Sequence, residues 1–111
     1  MKSIYISGKI TGLDEQATRE RFKKAQKLWM GKGYNVINPF NLYDGLKDAG
    51  TRWDFSKWGD VMIVDLMTLN RCDAIYMLDG WADSPGARIE REFAIRIGLQ
   101  VIYEDLETNI Q

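Results

Sequence analysis

Two carboxylates occupy helix positions that the surrounding sequence pattern marks as buried. Glu90 shares a helical face with Phe93 and Ile97, which follow it by three and seven residues. Asp65 lies in the same way on the apolar stripe of the preceding predicted helix. Burial among apolar groups disfavours a charged carboxylate, so both positions indicate a partner, a ligand or a reaction. The alternative is that each carboxylate caps a helix or accepts hydrogen bonds from loop N–H groups.

The composition restricts the chemistry that these acids could support. The sequence contains no histidine and a single cysteine, Cys72. Serine–histidine and cysteine–histidine catalysis are therefore excluded, and acid–base or nucleophilic work falls to carboxylates, Tyr, Lys or Cys. One cysteine allows no internal disulfide or multi-cysteine metal site, and we predict neither a metal nor a cofactor. Cys72 is interpreted as a small apolar filler in a reducing, cytoplasmic protein.

The length and net charge of the chain limit the number of domains and the kinds of partner that it could have. A chain of 111 residues with 45% hydrophobic content suffices for one core, so we predict a single domain over residues 1–111. The net charge of -1, from 15 basic and 16 acidic residues, gives no electrostatic case for a nucleic acid polymer or an anionic membrane. No apolar run reaches the ~20 residues of a membrane span, and we expect no targeting segment.

Strand-like and helix-like patterns alternate along the chain. We predict strands at 4–7, 34–38, 73–78 and 100–103, and helices at 15–32, about 53–71 and 84–98. Residues 40–51 are interpreted as a long, turn-rich connection. This order predicts an α/β fold with a parallel sheet and helices on both faces, and ligands bind such sheets at the carboxyl ends of the strands.

Two loops after strands could receive a ligand. Ser84 and Pro85 suit the cap and the first position of a helix, whose free N–H groups attract a phosphate or carboxylate. The loop from Gly8 contains Lys9 and Thr11 as possible donors, but it fits no nucleotide-binding fingerprint. The alternatives are that Ser84 and Pro85 only start a helix and that the loop from Gly8 is an ordinary strand-to-helix turn.

Aromatic residues offer further candidates. The hydroxyl of Tyr5, in a buried strand, needs a partner that a carboxylate could supply, although core packing explains the residue equally well. Among the tryptophans near loops or helix ends, Trp81 is the predicted platform for a planar base, and Trp58 is the predicted core residue. Glu92 is predicted to form a surface ion pair with Arg88 or Arg96.

Several of these segments together resemble the nucleoside 2-deoxyribosyltransferase-like superfamily. The similarity rests on Tyr5-Ile6-Ser7-Gly8, Asp65-Leu66, Gly80-Trp81 and the stretch from Ser84-Pro85-Gly86 to Glu90. It spans most of the chain and is nearest to a short bacterial and phage branch. The resemblance implies a flavodoxin-like Rossmannoid fold with about four to five parallel strands, and cleavage or transfer at a nucleoside's N-glycosidic bond.

The resemblance also implies residue roles. Glu90 matches the nucleophile that attacks the anomeric carbon, and Tyr5 matches the tyrosine that orients the glutamate. Asp65 matches the aspartate that assists the leaving base or holds the sugar. Serine at Ser84 is typical of the branch that hydrolyses nucleoside 5'-monophosphates. That branch has arginine where Thr11 stands, so phosphate recognition is expected from Ser84, the helix end and Lys9.

Substrate contacts are accordingly expected from a small set of residues: Gly8, Lys9, Thr11, Trp81, Ser84 and Gly86. The expected partner is a small nucleoside or nucleotide. Because neighbouring subunits complete the site in the similar families, we expect a homodimer or larger assembly, and the polar tail 104–111 could meet another subunit. The alternatives are a nucleotide-binding or sequestering module without turnover, and a scaffold whose carboxylates only satisfy loops.

Overall fold

The computed structural model describes residues 1–105, in which four strands are connected by helices. The strands are β1 (Ser3–Ser7), β2 (Asn35–Ile37), β3 (Ala74–Met77) and β4 (Gln100–Tyr103). The helices are α1 (Glu15–Gly31), α2 (Pro39–Asp48), α3 (Trp58–Leu69) and α4 (Pro85–Arg96), with a short 3-10 turn at Trp81–Asp83.

The four strands form one parallel sheet in the order β2-β1-β3-β4. Ile4 of β1 pairs with Val36 of β2 on one side and with Ala74 of β3 on the other. This arrangement confirms the predicted α/β class and fits a flavodoxin-like fold. β1 and β3 are the inner strands, so the loops that follow them meet at the middle of the sheet's carboxyl edge.

Apolar side chains pack on both faces of the sheet. Ile4 and Ile6 lie in a cluster with Phe22 and Trp29 of α1, whereas Tyr5 lies in a second cluster with residues of α4. Successive strand residues point to opposite faces, which explains this division. Ser7 therefore shares the face of Tyr5, and both side chains are directed toward α3 and α4.

The prediction of a turn-rich connection at 40–51 is wrong, because α2 occupies most of this segment. The side chain of Asn38 accepts a hydrogen bond from the N–H of Phe40, and Pro39 takes the first helical position. Asn-Pro is a good helix start, but a proline can equally end a strand. The prediction used Pro39 only as the end of the second strand. The next helix begins at Trp58 and not between residues 53 and 56.

The remaining predicted elements are confirmed within a few residues of their ends. Asp14 caps α1 by accepting from the N–H of Ala17, and Ser84 caps α4 through the N–H of Ala87. In the part of the chain described, no helix is long and apolar enough to cross a membrane. Of the predicted tail, residues 106–111 lie outside the described range.

Candidate active site

Two hydroxyl groups of β1 hold the carboxyl group of Glu90. The Tyr5 hydroxyl donates to Oε2 over 2.9 Å, and the Ser7 hydroxyl donates to Oε1 over 2.6 Å. Tyr5 is fully buried, and Glu90 is only 5% exposed. Both oxygens of the acid are thus engaged from the strand, which fixes the carboxyl group at the point where β1 ends.

Asp65 of α3 lies beside Glu90 and has its own hydroxyl donor. The hydroxyl of Tyr43 donates to Oδ1 of Asp65 over 2.6 Å. Asp65 is 4% exposed, so it is removed from bulk water as thoroughly as Glu90. The structure therefore brings together Tyr5, Asp65 and Glu90, the three residues predicted to be catalytic.

Burial and mutual repulsion favour a proton on this pair. Burial raises the pKa of Glu90 well above its ordinary value, and the neighbouring Asp65 raises it further by charge and by hydrogen bonding. Burial also raises the pKa of Asp65, but hydrogen bonds from Glu90 and Tyr43 oppose that effect. Two interacting carboxyls titrate as a unit, and burial together with their mutual repulsion favours retention of one proton by the pair.

The tyrosines of the site remain neutral donors. Burial, followed by the charges of Glu90 and Asp65, raises the pKa of Tyr5 well above its ordinary value. Burial and the charge of Asp65 likewise raise the pKa of Tyr43. Each phenol therefore keeps its proton over the physiological range, and neither acts as a base.

The acid pair lines a cleft of about 480 Å³ at the carboxyl ends of the strands. Its aromatic wall consists of Phe22, Phe40, Tyr43, Phe55 and Trp58. Its charged rim consists of Lys9, Glu15, Arg19, Lys47 and Asp83. A cavity of this size, with an apolar wall and a few convergent polar groups, suits a small organic ligand.

The loop after β1 passes close to β3. A Cβ atom on Gly8 would lie 3.0 Å from Cβ of Leu78, so glycine permits this approach of the two segments. Gly8, Lys9 and Thr11, from which ligand contacts are predicted, all line the cleft. Lys9 contributes a positive charge at the same edge of the sheet as the acid pair.

The amino end of α4 also faces the cleft. Ser84 and Gly86 both line it, and Oγ of Ser84 accepts from the N–H of Ala87 over 3.1 Å. A Cβ atom on Gly86 would lie 3.3 Å from Sδ of Met62, so the glycine lets α3 and α4 pack closely beside the acids. The hydroxyl of Ser84 thus serves as a helix cap at the edge of the ligand cavity.

The positions of two tryptophans are exchanged relative to the sequence prediction. Trp81 does not line the cleft: its ring packs 5.8 Å from that of Tyr103, with Cζ of Arg91 5.0 Å from the ring centre. Trp58, predicted to be buried, is 54% exposed and lines the cleft. Trp58 is the first residue of α3, and the buried residues of that helix begin only at Met62.

Sequence reasoning missed three residues of the site. Ser7 carried a usable signal, because it follows Tyr5 by two positions and must share its face of the strand. Tyr43 and Phe55 carried none, because both fell in segments read as loops or helix starts. Their rings pack 5.2 Å apart, and both line the cleft.

Fold and site together define an α/β domain with a buried carboxyl pair at the open edge of a parallel sheet. A family model described as Domain of unknown function (DUF4406) matches residues 2–103, and the chain belongs to this family. A comparison with curated proteins finds no match. The family description names no activity, so any activity must be argued from the site residues.

Proposed function

We propose that the protein cleaves the N-glycosidic bond of a (deoxy)nucleoside or nucleoside 5'-monophosphate, and that it is a member of the nucleoside 2-deoxyribosyltransferase-like superfamily. The observation that carries the proposal is the buried pair of Asp65 and Glu90, held by hydroxyl donors and open to a cleft. Two carboxyls in different environments can divide nucleophilic and acid roles.

The first step needs Glu90 as a carboxylate. In the reactive form the proton of the pair lies on Asp65. The hydrogen bond between the two carboxyls gives the proton a direct path from Glu90 to Asp65. Glu90 then attacks the anomeric carbon while the carbon–nitrogen bond breaks and its electron pair leaves with the base. Asp65 gives its proton to the departing base, so the products are the free base, an ester of the sugar with Glu90, and an ionised Asp65.

The second step releases the sugar. Asp65, now ionised, removes a proton from water as the water oxygen attacks the anomeric carbon, and the ester bond to Glu90 breaks. The pair again holds one proton, and two successive inversions retain the configuration of the sugar. An incoming base in place of water would give transfer instead of hydrolysis.

The cleft supports a nucleoside-sized ligand. Its volume of about 480 Å³ and its aromatic wall suit a planar base, for which Trp58 replaces Trp81 as the stacking surface. Lys9 and Ser84, at the amino end of α4, both line the cleft, which supports their proposed contact with a 5'-phosphate. Arg19 is less available, because it is paired with Asp44 over 2.8 Å.

The test is incubation with a panel of nucleosides and nucleoside 5'-monophosphates, with free base measured by chromatography. We expect base release that Glu90→Ala abolishes, and a sugar adduct on Glu90 detectable by mass spectrometry after rapid quenching. Glu92→Ala is the matched control, since Glu92 pairs with Arg96 over 2.9 Å on the exposed face of the same helix. No release from any substrate, or equal release by Glu90→Ala, contradicts the proposal.

One observation favours a second candidate, a nucleotide-binding module without turnover. Burial and Asp65 raise the pKa of Glu90, and a protonated acid is a poor nucleophile. Calorimetry that shows binding of a nucleotide, with no product after hours, would support this candidate. Base release with formation of the Glu90 adduct would exclude it.

The resemblance further leads us to propose a homodimer or larger assembly. Ile63 and Met67, one helical turn apart on α3, are 49% and 58% exposed, and an apolar helix face of this kind suits a subunit contact. Sedimentation velocity on the purified protein measures the assembly directly. A monomer at micromolar concentration would contradict this part of the proposal.

A further inference from the structure

The hydroxyl of Tyr43 approaches Asp65 from a different element than any other group of the site. It donates to Oδ1 over 2.6 Å, from helix α2, whereas Asp65 itself belongs to α3. We propose that Tyr43 is a positioning residue that fixes which oxygen of Asp65 carries the proton during the reaction. The inference rests on the proposed glycosidic-bond cleavage and adds a residue to it.

The helix that carries Tyr43 is anchored at the neighbouring residue. Arg19 of α1 holds Asp44 through two hydrogen bonds, of 2.8 and 3.1 Å. The ring of Tyr43 also packs 5.2 Å from that of Phe55, which gives the phenol a second contact besides Asp65. These contacts restrict the hydroxyl to the Asp65 side of the cavity.

The direction of this hydrogen bond has a chemical consequence. Because the hydroxyl donates to Oδ1, that oxygen is an acceptor whether Asp65 is charged or neutral. When the proton of the pair is on Asp65, this contact favours its position on Oδ2, the oxygen that Tyr43 does not contact. Asp65 would therefore deliver its proton to the leaving base from one defined atom, a requirement of efficient proton transfer.

Every group that faces Asp65 must be considered when its ionisation is measured. Glu90 approaches from α4, Tyr5 from β1 and Tyr43 from α2. The other charged groups that line the same cleft are those of its rim: Lys9, Glu15, Arg19, Lys47 and Asp83. Tyr43 is the member of this set whose hydroxyl can be removed without touching Glu90, since Tyr5 and Ser7 both bind Glu90 directly.

The kinetic test compares Tyr43→Phe with Tyr103→Phe. Both variants lose one phenolic hydroxyl, but that of Tyr103 accepts from Nε of Arg91 over 2.6 Å, away from the cleft. For Tyr43→Phe we expect kcat to fall about 10- to 100-fold with KM within about threefold of wild type. Tyr103→Phe should keep wild-type kcat.

A double-mutant cycle separates positioning from general damage. If Tyr43 acts through Asp65, Tyr43→Phe should cause no further loss of kcat when Asp65 is already Asn. Equal losses in the two backgrounds, or a Tyr43→Phe enzyme within twofold of wild type, would overturn the proposal. Melting temperatures of all four proteins, measured alongside, show whether the kinetics compare folded proteins.

A second readout needs no substrate. Titration of ¹³C-labelled aspartate carboxyls by NMR should show the apparent pKa of Asp65 rising by about one pH unit in Tyr43→Phe, since the lost hydrogen bond favoured the charged form. Tyr103→Phe should leave it unchanged. An unchanged Asp65 in Tyr43→Phe overturns the positioning role even if the enzyme is active. If the pKa of Asp65 rises in Tyr43→Phe but no nucleotide releases its base, the contact of Tyr43 with Asp65 is supported and only the proposed function fails.

Discussion

Tyr5 and Glu90 lie 85 positions apart in sequence, yet the Tyr5 hydroxyl donates to Oε2 of Glu90 over 2.9 Å in the buried interior. The bond ties an inner strand of the sheet to the helix that closes one side of the cleft. Ser7 repeats the contact on the other oxygen of the same acid. The orientation of Glu90 is thus set by the strand and not by its own helix alone.

Replacing Glu90 by glutamine should separate chemistry from folding. Because burial and the neighbouring Asp65 raise the pKa of Glu90 and so favour its neutral form, the neutral amide should preserve its size and most of its hydrogen bonding. We expect Glu90→Gln to lower base release about 10³-fold or more while the melting temperature changes by only a few degrees. Glu92→Gln, measured in the same chromatographic assay, should retain activity, and an active Glu90→Gln would contradict the assigned role.

The stability of the protein should depend on pH through Glu90. The pKa of this acid is raised above 4.5 in the folded state, so the folded protein binds more protons than the unfolded chain above that pH. Its contribution to the free energy of unfolding is present below about pH 4.5 and is lost as the pH rises through the folded pKa. Denaturant titrations from pH 5 to 9 should show Glu90→Gln gaining stability relative to wild type, and a constant difference would contradict burial of the acid.

Substitutions at Ser84 can distinguish a helix cap from a phosphate contact. Ser84→Ala removes the bond to the N–H of Ala87 and should lower the free energy of unfolding by about 1 kcal/mol. Ser84→Asp should restore the cap and the stability but repel a phosphate. For Ser84→Asp we expect the KM of nucleoside 5'-monophosphates to rise at least about tenfold and the KM of nucleosides to stay unchanged. Equal effects on both substrate classes would remove Ser84 from phosphate recognition.

Gly8 and Gly45 should respond oppositely to alanine. At Gly8 the new Cβ would meet Cβ of Leu78 at 3.0 Å in the buried edge of the sheet, which should destabilise the protein by about 1–3 kcal/mol. At Gly45, inside α2, the new Cβ meets nothing within 4 Å, and the better helix former should stabilise by about 0.5–1 kcal/mol. Chemical denaturation of both variants measures the contrast.

The two tryptophans should separate binding from stability. Trp58→Ala removes a ring that is 54% exposed at the cleft rim, so we expect KM to rise severalfold with little change in melting temperature. Trp81→Ala removes a ring packed against Tyr103 and should lower the melting temperature instead. Quenching of tryptophan fluorescence by a nucleotide should persist in Trp81→Ala and be weaker in Trp58→Ala. The reverse pattern would indicate that Trp81 is the stacking surface.

The fold could be predicted from the sequence wherever a pattern extended over several residues. The apolar run of β1 is buried as predicted, and so is Glu90 on its helical face, whereas Ile97 at the end of that predicted face is 40% exposed. At Asn38-Pro39 the local chemistry allowed a strand end and a helix start together. Only the packing of Phe40 in the core on the α1 side shows that the helix forms.

The candidate site was predictable only in part, for a related physical reason. Periodicity places Asp65 and Glu90 on buried faces, but it cannot say which distant hydroxyl each acid meets. Tyr43 reaches Asp65 because α2 folds over the sheet edge, and that path depends on contacts made across the whole domain. The exchanged roles of Trp58 and Trp81 have the same origin, since ring burial at an element's end depends on its neighbours.

Because β1 is an inner strand, the hydroxyl donors of the site should be lost only when the sheet itself unfolds. Tyr5 is hydrogen-bonded between β2 and β3, so its amide should exchange with solvent only when the sheet opens as a whole. Local fraying at helix ends or loops would leave the donors to Glu90 in place. Activity and cooperative structure should therefore disappear at the same denaturant concentration.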